Sequence, residues 1–175
     1  PYDERELLDV IEDLSKLDIK AYPNTFPALF INSNGLKTKV GNIFPLGTIS
    51  NLTIILCKES GSIPVVQTDE HGFNNPKGLY EKNKVDIMLI GDSFAEGICV
   101  NSNETISANL RQSGLNVISV GKSGNGPLLE YSTLREYANP LEPKIVLWLY
   151  SKNDLRNLVG PSKNREISSP ILRRY

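Results

Sequence analysis

Between residues 85 and 150, three short apolar runs alternate with two helix-like segments, and this alternation constrains the fold more than any other feature. The apolar runs occupy residues 85–90, 116–120 and 145–150. The segments between them show helical spacing, with Gly114 after the first and Pro127 at the start of the second. Strands that are apolar without alternation are typical of a parallel sheet covered on both faces. The order therefore predicts a parallel sheet with helices on its two sides.

The first 80 residues have a different pattern of apolar and turn residues. Asp3 followed by Glu6 resembles a capping box, and the apolar residues behind it predict an amphipathic helix to about Lys16. Residues 51–57 and 63–67 are rich in β-branched side chains and are separated by turn residues, which predicts a hairpin. A loop near residue 76 follows. We therefore expect a small helix-plus-hairpin (α+β) segment at residues 1–80 and a main domain at residues 81–175.

Composition excludes several classes of function. The 39% hydrophobic and 22% charged residues indicate a folded protein, and the net charge of -1 gives no reason to expect nucleic acid or an anionic membrane as partner. No apolar run is long enough to span a membrane. Cys57 and Cys99 are too few and too isolated for a disulfide framework or a metal site, and the single histidine, His71, argues against a His-rich zinc centre. The sequence gives no indication of the oligomeric state.

Small and polar residues follow each of the three predicted strands. Gly91-Asp92-Ser93 comes after the first, a glycine-rich turn containing Gly124 after the second, and Asn153-Asp154 after the third. Each piece alone is common in turns and helix caps. In an open parallel sheet, however, ligands bind beyond the carboxyl ends of the strands, where all three pieces meet. Their shared position predicts a functional site at this edge.

The residue types at this edge suit acyl transfer. A serine in a tight strand-to-helix turn exposes its hydroxyl, as a nucleophile requires. A glycine allows close approach of its backbone N–H, and an asparagine side chain adds an NH₂ donor. Such donors stabilise the oxyanion of a tetrahedral intermediate. This chemistry needs only side chains and backbone donors, so we expect neither a metal nor an organic cofactor.

These motifs together resemble those of the SGNH (GDSL-like) hydrolases. Gly91-Asp92-Ser93 is similar to block I of that family, Gly124 to block II, and Asn153-Asp154 to block III. Block III usually opens with glycine, where this chain has Ser151. The resemblance covers roughly residues 69–158. It implies a three-layer α/β/α, flavodoxin-like SGNH hydrolase fold for the main domain.

The resemblance also implies residue roles. Ser93 would be the nucleophile, and the Ser93 N–H, the Gly124 N–H and the Asn153 side chain would form the oxyanion hole. Gly91, Asp92 and Asp154 would support the motifs. The implied function is that of a serine esterase or O-acyltransferase acting on a short, acetyl-like ester, such as one on a small molecule or a carbohydrate.

The segment at residues 69–76 resembles a stretch that precedes block I in some bacterial members, several of them tied to envelope polysaccharides. The expected setting is therefore bacterial, and the sequence does not distinguish the cytoplasm from the cell envelope.

The general base is the open question. Most of the family uses the histidine of an Asp-x-x-His motif near the C-terminus, and this chain has no such motif. We therefore expect the domain to be incomplete at its C-terminus, with the later strands and the base in sequence beyond Tyr175. The rival candidate is the pair Asp69 and His71, which has the Asp-x-His spacing of the alginate acetyltransferase-like branch. In that role Asp69 would orient the imidazole.

Two interpretations without this chemistry stay open. One is a non-catalytic glycan-binding or scaffolding module that keeps the SGNH fold. The other is a flavodoxin-like cofactor binder, which the sequence favours less because the loop at residues 91–97 is poor in Ser and Thr.

Overall fold

The computed structural model describes residues 2–59, 61–152 and 154. Within them the chain is a mixed α/β protein with five helices and three small sheets. The elements in chain order are α1 (Leu7–Lys16), β1 (Ala21–Pro23), α2 (Pro27–Asn32), β2 (Leu36–Thr38), β3 (Gly41–Ile43), β4 (Thr53–Ile55), β5 (Val65–Gln67), β6 (Ile87–Ile90), α3 (Ser93–Glu96), α4 (Ile106–Gln112), β7 (Val117–Ser119), α5 (Pro127–Leu141) and β8 (Ile145–Trp148).

The N-terminal segment contains the predicted hairpin. β4 pairs antiparallel with β5, with Ile54 opposite Val66, which confirms that prediction. On its other side β4 pairs in parallel with β1, and β2 and β3 form a separate hairpin. A small core forms where α1 packs on this sheet, around Val10, Ala21 and Ile55.

Helix α1 begins about one turn later than the sequence suggested. Its N-cap is Glu6, and the reciprocal bonds of the capping box are made with Asp9, whose carboxylate accepts from the Glu6 N–H at 2.8 Å. Asp3 instead pairs with Arg5 at 2.8 Å. The Arg5 side chain and backbone N–H hold the pKa of Asp3 at about 2. The predicted end at Lys16 is confirmed.

The third sheet forms from the three predicted strands. β6 lies in the centre, parallel to β7 on one side and to β8 on the other, with Met88 opposite both Ile118 and Val146. The parallel pairing is as predicted. Its core contains fully buried side chains from β6, β7 and the preceding segment, among them Phe73 and Val85. The helices α4 and α5 connect the strands, and Pro127 begins α5 as expected.

Strand β8 differs from the prediction of a buried strand. Its side chains are exposed, from 56% at Ile145 to 38% at Trp148. Within the described residues β8 has a partner strand only on its β6 side. Apolar sequence alone therefore could not decide its burial. The indole N–H of Trp148 donates to the Glu130 carboxylate at 2.7 Å.

The two cysteines, expected to be isolated, form a disulfide. Cys57 follows β4 and Cys99 follows α3, with their Cα atoms 4.9 Å apart. Folding brings together two positions separated by 42 residues. The bond links the N-terminal segment to the loop that follows α3, the helix that begins with Ser93.

None of the described helices combines the length and apolarity needed to cross a membrane.

Candidate active site

The site is built on a turn that only glycine can make. Gly91, directly after β6, has φ +150°, and a Cβ there would lie 2.8 Å from the carbonyl oxygen of Leu149. Asp92 then caps α3, with its carboxylate accepting from the Phe94 N–H at 3.0 Å. This short turn places Ser93 at the first position of α3, at the carboxyl edge of the central strand.

Ser93 itself is partly exposed. No hydrogen bond occupies its hydroxyl among the residues that the structure describes. A hydroxyl that is accessible and not committed to a structural bond can approach an external carbonyl carbon, as a nucleophile must.

The loop after β7 packs directly against the Ser93 turn. A Cβ on Gly121 would lie 2.3 Å from the Cβ of Ala95, so only glycine allows this approach. The Lys122 N–H donates to the Gly91 carbonyl at 3.2 Å. Gly124 follows in the same loop with φ +76°. The structure therefore brings the block I and block II residues to one edge of the sheet.

A buried charged network holds these two loops together. The Glu96 carboxylate pairs with the Lys122 ammonium and accepts from the Ser123 N–H at 2.7 Å and from the Ser123 hydroxyl. Asn24 joins from the N-terminal segment, with its amide donating to Glu96 at 2.8 Å and accepting from Lys122 at 3.1 Å. The network fixes where Ser93 and Gly124 lie relative to each other.

Sequence reasoning missed this network. Its members lie far apart in the chain, since Lys122 follows Glu96 by 26 residues and Asn24 by 98. A lysine inside the glycine turn of residues 121–126 was the one available signal, because a lysine in a turn that tight is either exposed or paired.

Ser151, which follows β8, contacts both Asp92 of the Ser93 turn and Asp154. The Ser151 hydroxyl is 3.3 Å from the Asp92 carboxylate, and the Ser151 N–H donates to the Asp154 carboxylate. Both aspartates are buried. Ser151, at the position where the resemblance led us to expect glycine, thus makes a contact that glycine could not make. Asn153 lies outside the described residues, and its predicted role stays a prediction.

Asp69 does not orient the imidazole of His71. Its fully buried carboxylate accepts four hydrogen bonds, all 2.7–2.9 Å long, from the backbone N–H groups of His71 and Phe73, the Asn75 amide and the Tyr80 hydroxyl. These four donors account for a buried carboxylate without any contribution from the His71 ring. Asp69 therefore organises its own loop.

The His71 ring lies in an aromatic cluster. Its centroid is 4.3 Å from that of Tyr80 and 5.4 Å from that of Tyr137. Burial and the neighbouring Asp69 charge raise the pKa of the Tyr80 hydroxyl. No hydrogen bond joins His71 to Ser93 within the described part of the chain. The structure thus does not bring the predicted pair together with Ser93 in a hydrogen-bonded triad.

Residues 69–76, which include His71, are hydrogen-bonded to the sheet formed by β6, β7 and β8 and to α3. The Asn75 amide donates to the Ser119 carbonyl at 2.9 Å and accepts from the Ser119 N–H at 2.8 Å, as a neighbouring strand would. The Asn74 amide donates to the Glu96 carbonyl at 3.2 Å. Residues 69–76 therefore support the edge strand β7 and the end of α3.

One group of possible metal ligands occurs among the described residues, formed by Cys57, Glu59 and Cys99. Both sulfurs belong to the disulfide and are not thiolates that could bind a cation.

Comparison of the chain with protein-family models, with curated proteins and with solved structures found no match.

Proposed function

We propose that this protein is a serine esterase or O-acyltransferase of the SGNH type, in which Ser93 carries the acyl group. The observation that supports this most is the position of Ser93. Ser93 is partly exposed on the turn after the central strand, and the Gly124 loop packs against the same turn.

The strand order supports the three-layer fold that the proposal requires. The sheet runs β7-β6-β8, which is the order of the first three strands of flavodoxin-like sheets. Right-handed crossovers to opposite sides of β6 would place α4 and α5 on opposite faces. In such sheets ligands bind where the strand order reverses, and Ser93 follows the strand at that point.

The proposed reaction has two steps. In the first, the Ser93 hydroxyl oxygen bonds to the ester carbonyl carbon, and its proton passes to a general base. The N–H groups of Ser93 and Gly124 and the side chain of Asn153 hold the oxyanion. The ester C–O bond then breaks, and the leaving alcohol takes the proton. In the second step water or an acceptor hydroxyl attacks the acyl-serine in the same manner and releases Ser93.

The general base has two candidates. One is His71, an exposed residue whose ring lies beside those of Tyr80 and Tyr137. The other is a histidine that these 175 residues do not contain, since His71 is the single histidine among them. Catalytic hydrogen bonds are often long before substrate binds, so the geometry around His71 does not decide between them.

The substrate class rests on the resemblance alone, which points to a short acyl ester on a small molecule or carbohydrate. The disulfide bears on the compartment. Disulfides persist in oxidising environments, so the Cys57–Cys99 bond favours the cell envelope over the cytoplasm.

A non-catalytic glycan-binding or scaffolding module is the second candidate. One observation favours it, namely that no base is hydrogen-bonded to Ser93 among the described residues. Under this alternative the turn and the buried Glu96–Lys122 network preserve only the fold.

The two candidates separate in an assay of acetyl-ester hydrolysis with a chromogenic substrate. Ser93→Ala should lower kcat/KM by at least about a thousandfold, because it removes the nucleophile. Ser113→Ala, at an exposed serine after α4, is the matched control and should leave the rate unchanged. Wild-type protein that is folded and no faster than Ser93→Ala would support the binding module instead.

A further inference from the structure

A cleft lies on the β7 side of the molecule, between α4 with its preceding loop and the segment around Asn75. Its volume is about 440 Å³, within the range of small-ligand sites. Polar side chains from both walls line it, among them Gln67, Asn74, Asn75, Ser102, Asn103 and Arg111. Ser93 does not line this cleft, so it is distinct from the candidate active site.

Arg111 gives the cleft its charge. The guanidinium is partly buried, and its Nη1 donates to the Val117 carbonyl at 2.8 Å and to the Asn75 amide oxygen at 3.4 Å. Both acceptors are neutral. No carboxylate lies within ion-pair distance of Arg111 among the described residues, and burial lowers the pKa of the guanidinium. A partly buried cation of this kind normally has an anionic partner.

The charge of the lining limits the ligand. Arg111 is the one cationic residue among those that line the cleft. A single guanidinium matches a carboxylate, whose planar oxygens suit its fork of donors. A phosphate dianion would leave excess negative charge in a partly buried site.

The remaining polar groups suit hydroxyls. The Gln67 amide donates to the Thr53 hydroxyl at 2.7 Å and the Ser102 hydroxyl to the Asn74 amide oxygen at 3.1 Å, so the oxygens of both side chains are left to accept from a ligand hydroxyl. Asn103 adds an amide that can donate and accept. Pro76 and Ala108 contribute apolar surface to the same cleft, against which C–H groups can pack. Most of the exposed surface of the cleft is therefore apolar, and one cation and a few groups that can bind hydroxyls are placed around it.

We propose that this cleft binds a small hydroxylated monocarboxylate of the sugar-acid class. The carboxylate pairs with Arg111, and the hydroxyls bind Gln67, Ser102 and Asn103. The proposal does not depend on the chemistry at Ser93, because the two sites share no lining residue.

The test is isothermal titration of the 175-residue chain at neutral pH with glucuronate, glucose and glucose 6-phosphate. Glucuronate should give a saturable binding curve, and glucose and the phosphate should bind at least about tenfold more weakly, because glucose lacks the carboxylate and the phosphate carries excess charge. Equal binding of glucose, tighter binding of the phosphate, or no binding of glucuronate would overturn the proposal.

Variants locate the binding. Arg111→Gln should weaken glucuronate binding about tenfold to a hundredfold. Because Arg111 also bonds to Val117, a second variant, Asn103→Trp, fills the cleft from its exposed rim and should abolish binding without altering that bond. Arg135→Gln makes the same charge change on α5 and should leave the affinity unchanged. Unchanged affinity in both Arg111→Gln and Asn103→Trp would contradict binding in this cleft.

Discussion

The Glu96 carboxylate and the Lys122 ammonium form an ion pair in which each side chain is only 1% exposed to solvent. Glu96 ends the helix that begins with Ser93, and Lys122 lies in the loop that contains Gly124. The pair therefore joins the two loops on which the proposed chemistry depends. Because neither charge is solvated, each requires the other.

Removing one charge of this pair should be costly. Glu96→Gln leaves the Lys122 ammonium buried without a counter-ion, and we expect the free energy of unfolding to fall by about 3–5 kcal/mol. Denaturant titration followed by circular dichroism measures this. Glu12→Gln, at an exposed position of α1, should change stability by less than about 0.5 kcal/mol.

The double variant Glu96→Gln/Lys122→Met completes that experiment. It removes both buried charges and should recover part of the stability that Glu96→Gln loses. A Glu96→Gln variant as stable as wild type would show that the pair does not hold the loops together.

The close approach of Gly121 to Ala95 predicts a loss of reactivity larger than the loss of stability. A Cβ at Gly121 would meet the Ala95 Cβ at 2.3 Å and the Glu96 nitrogen at 3.0 Å, so α3 and Ser93 must move. We expect Gly121→Ala to cost about 1–3 kcal/mol and to slow modification of Ser93 by an active-site phosphonate about a hundredfold.

Gly114→Ala is the comparison for that variant. Gly114 has φ +83°, and no atom lies within 4 Å of the place that a Cβ would occupy. Alanine there therefore adds backbone strain of about 1–2 kcal/mol without a clash. Its rate of modification should equal that of wild type. Equal rates for the two alanine variants would refute a role for the Gly121 contact in positioning Ser93.

The disulfide predicts sensitivity to reductant. The Cys57–Cys99 bond closes a loop of 42 residues, for which about 2–4 kcal/mol of stabilisation is typical. In a chain of this size that corresponds to a fall in Tm of roughly 4–16 °C. Differential scanning fluorimetry with and without dithiothreitol measures it, and the Cys57→Ser/Cys99→Ser variant should show the lower Tm under both conditions. If fully reduced wild-type protein has the same Tm as the protein without dithiothreitol, this expectation is contradicted.

The salt bridge between Asp86 and Lys144 predicts a dependence on pH. The Lys144 ammonium at 2.7 Å, together with the Asn116 N–H, holds the pKa of Asp86 below its usual value of 3.8. The ion pair stabilises the folded protein when the pH lies above the pKa that Asp86 has in the unfolded chain. This stabilisation is lost as the pH falls through the lower pKa that Asp86 has in the folded protein. The Tm difference between wild type and Asp86→Asn should therefore be largest above about pH 5 and shrink towards about pH 3.

The effect should be small and should weaken with added salt, because Lys144 is 69% exposed. Titrating Tm against pH at low ionic strength gives the comparison. A Tm difference that does not change with pH would mean that the ion pair between Asp86 and Lys144 does not stabilise the folded protein.

Local patterns predicted the elements that carry their own signal. The continuous apolar run ending at Ile90 identified β6, and the Gly91-Asp92-Ser93 turn after it identified the edge where the loops meet. The hairpin of β4 and β5 was visible because β-branched runs flank turn residues. In these cases the structure follows from neighbouring residues along the chain.

Features set by distant parts of the chain were not predictable. The Cys57–Cys99 bond and the Glu96–Lys122 pair each join residues that only the folded backbone brings together. The exposure of β8 shows the same limit, because the apolar character of a strand does not reveal which neighbours cover it. The spacing of Asp69 and His71 suggested a dyad, but the Asp69 carboxylate is fully used by other donors.

The most direct test of the account is whether Ser93 is activated. Intact mass spectrometry after incubation with a serine-reactive fluorophosphonate should show one adduct on the wild-type protein and none on Ser93→Ala, measured on the longest natural form of the protein. Folded wild-type protein that forms no adduct, or an adduct that persists in Ser93→Ala, would contradict the proposed nucleophile.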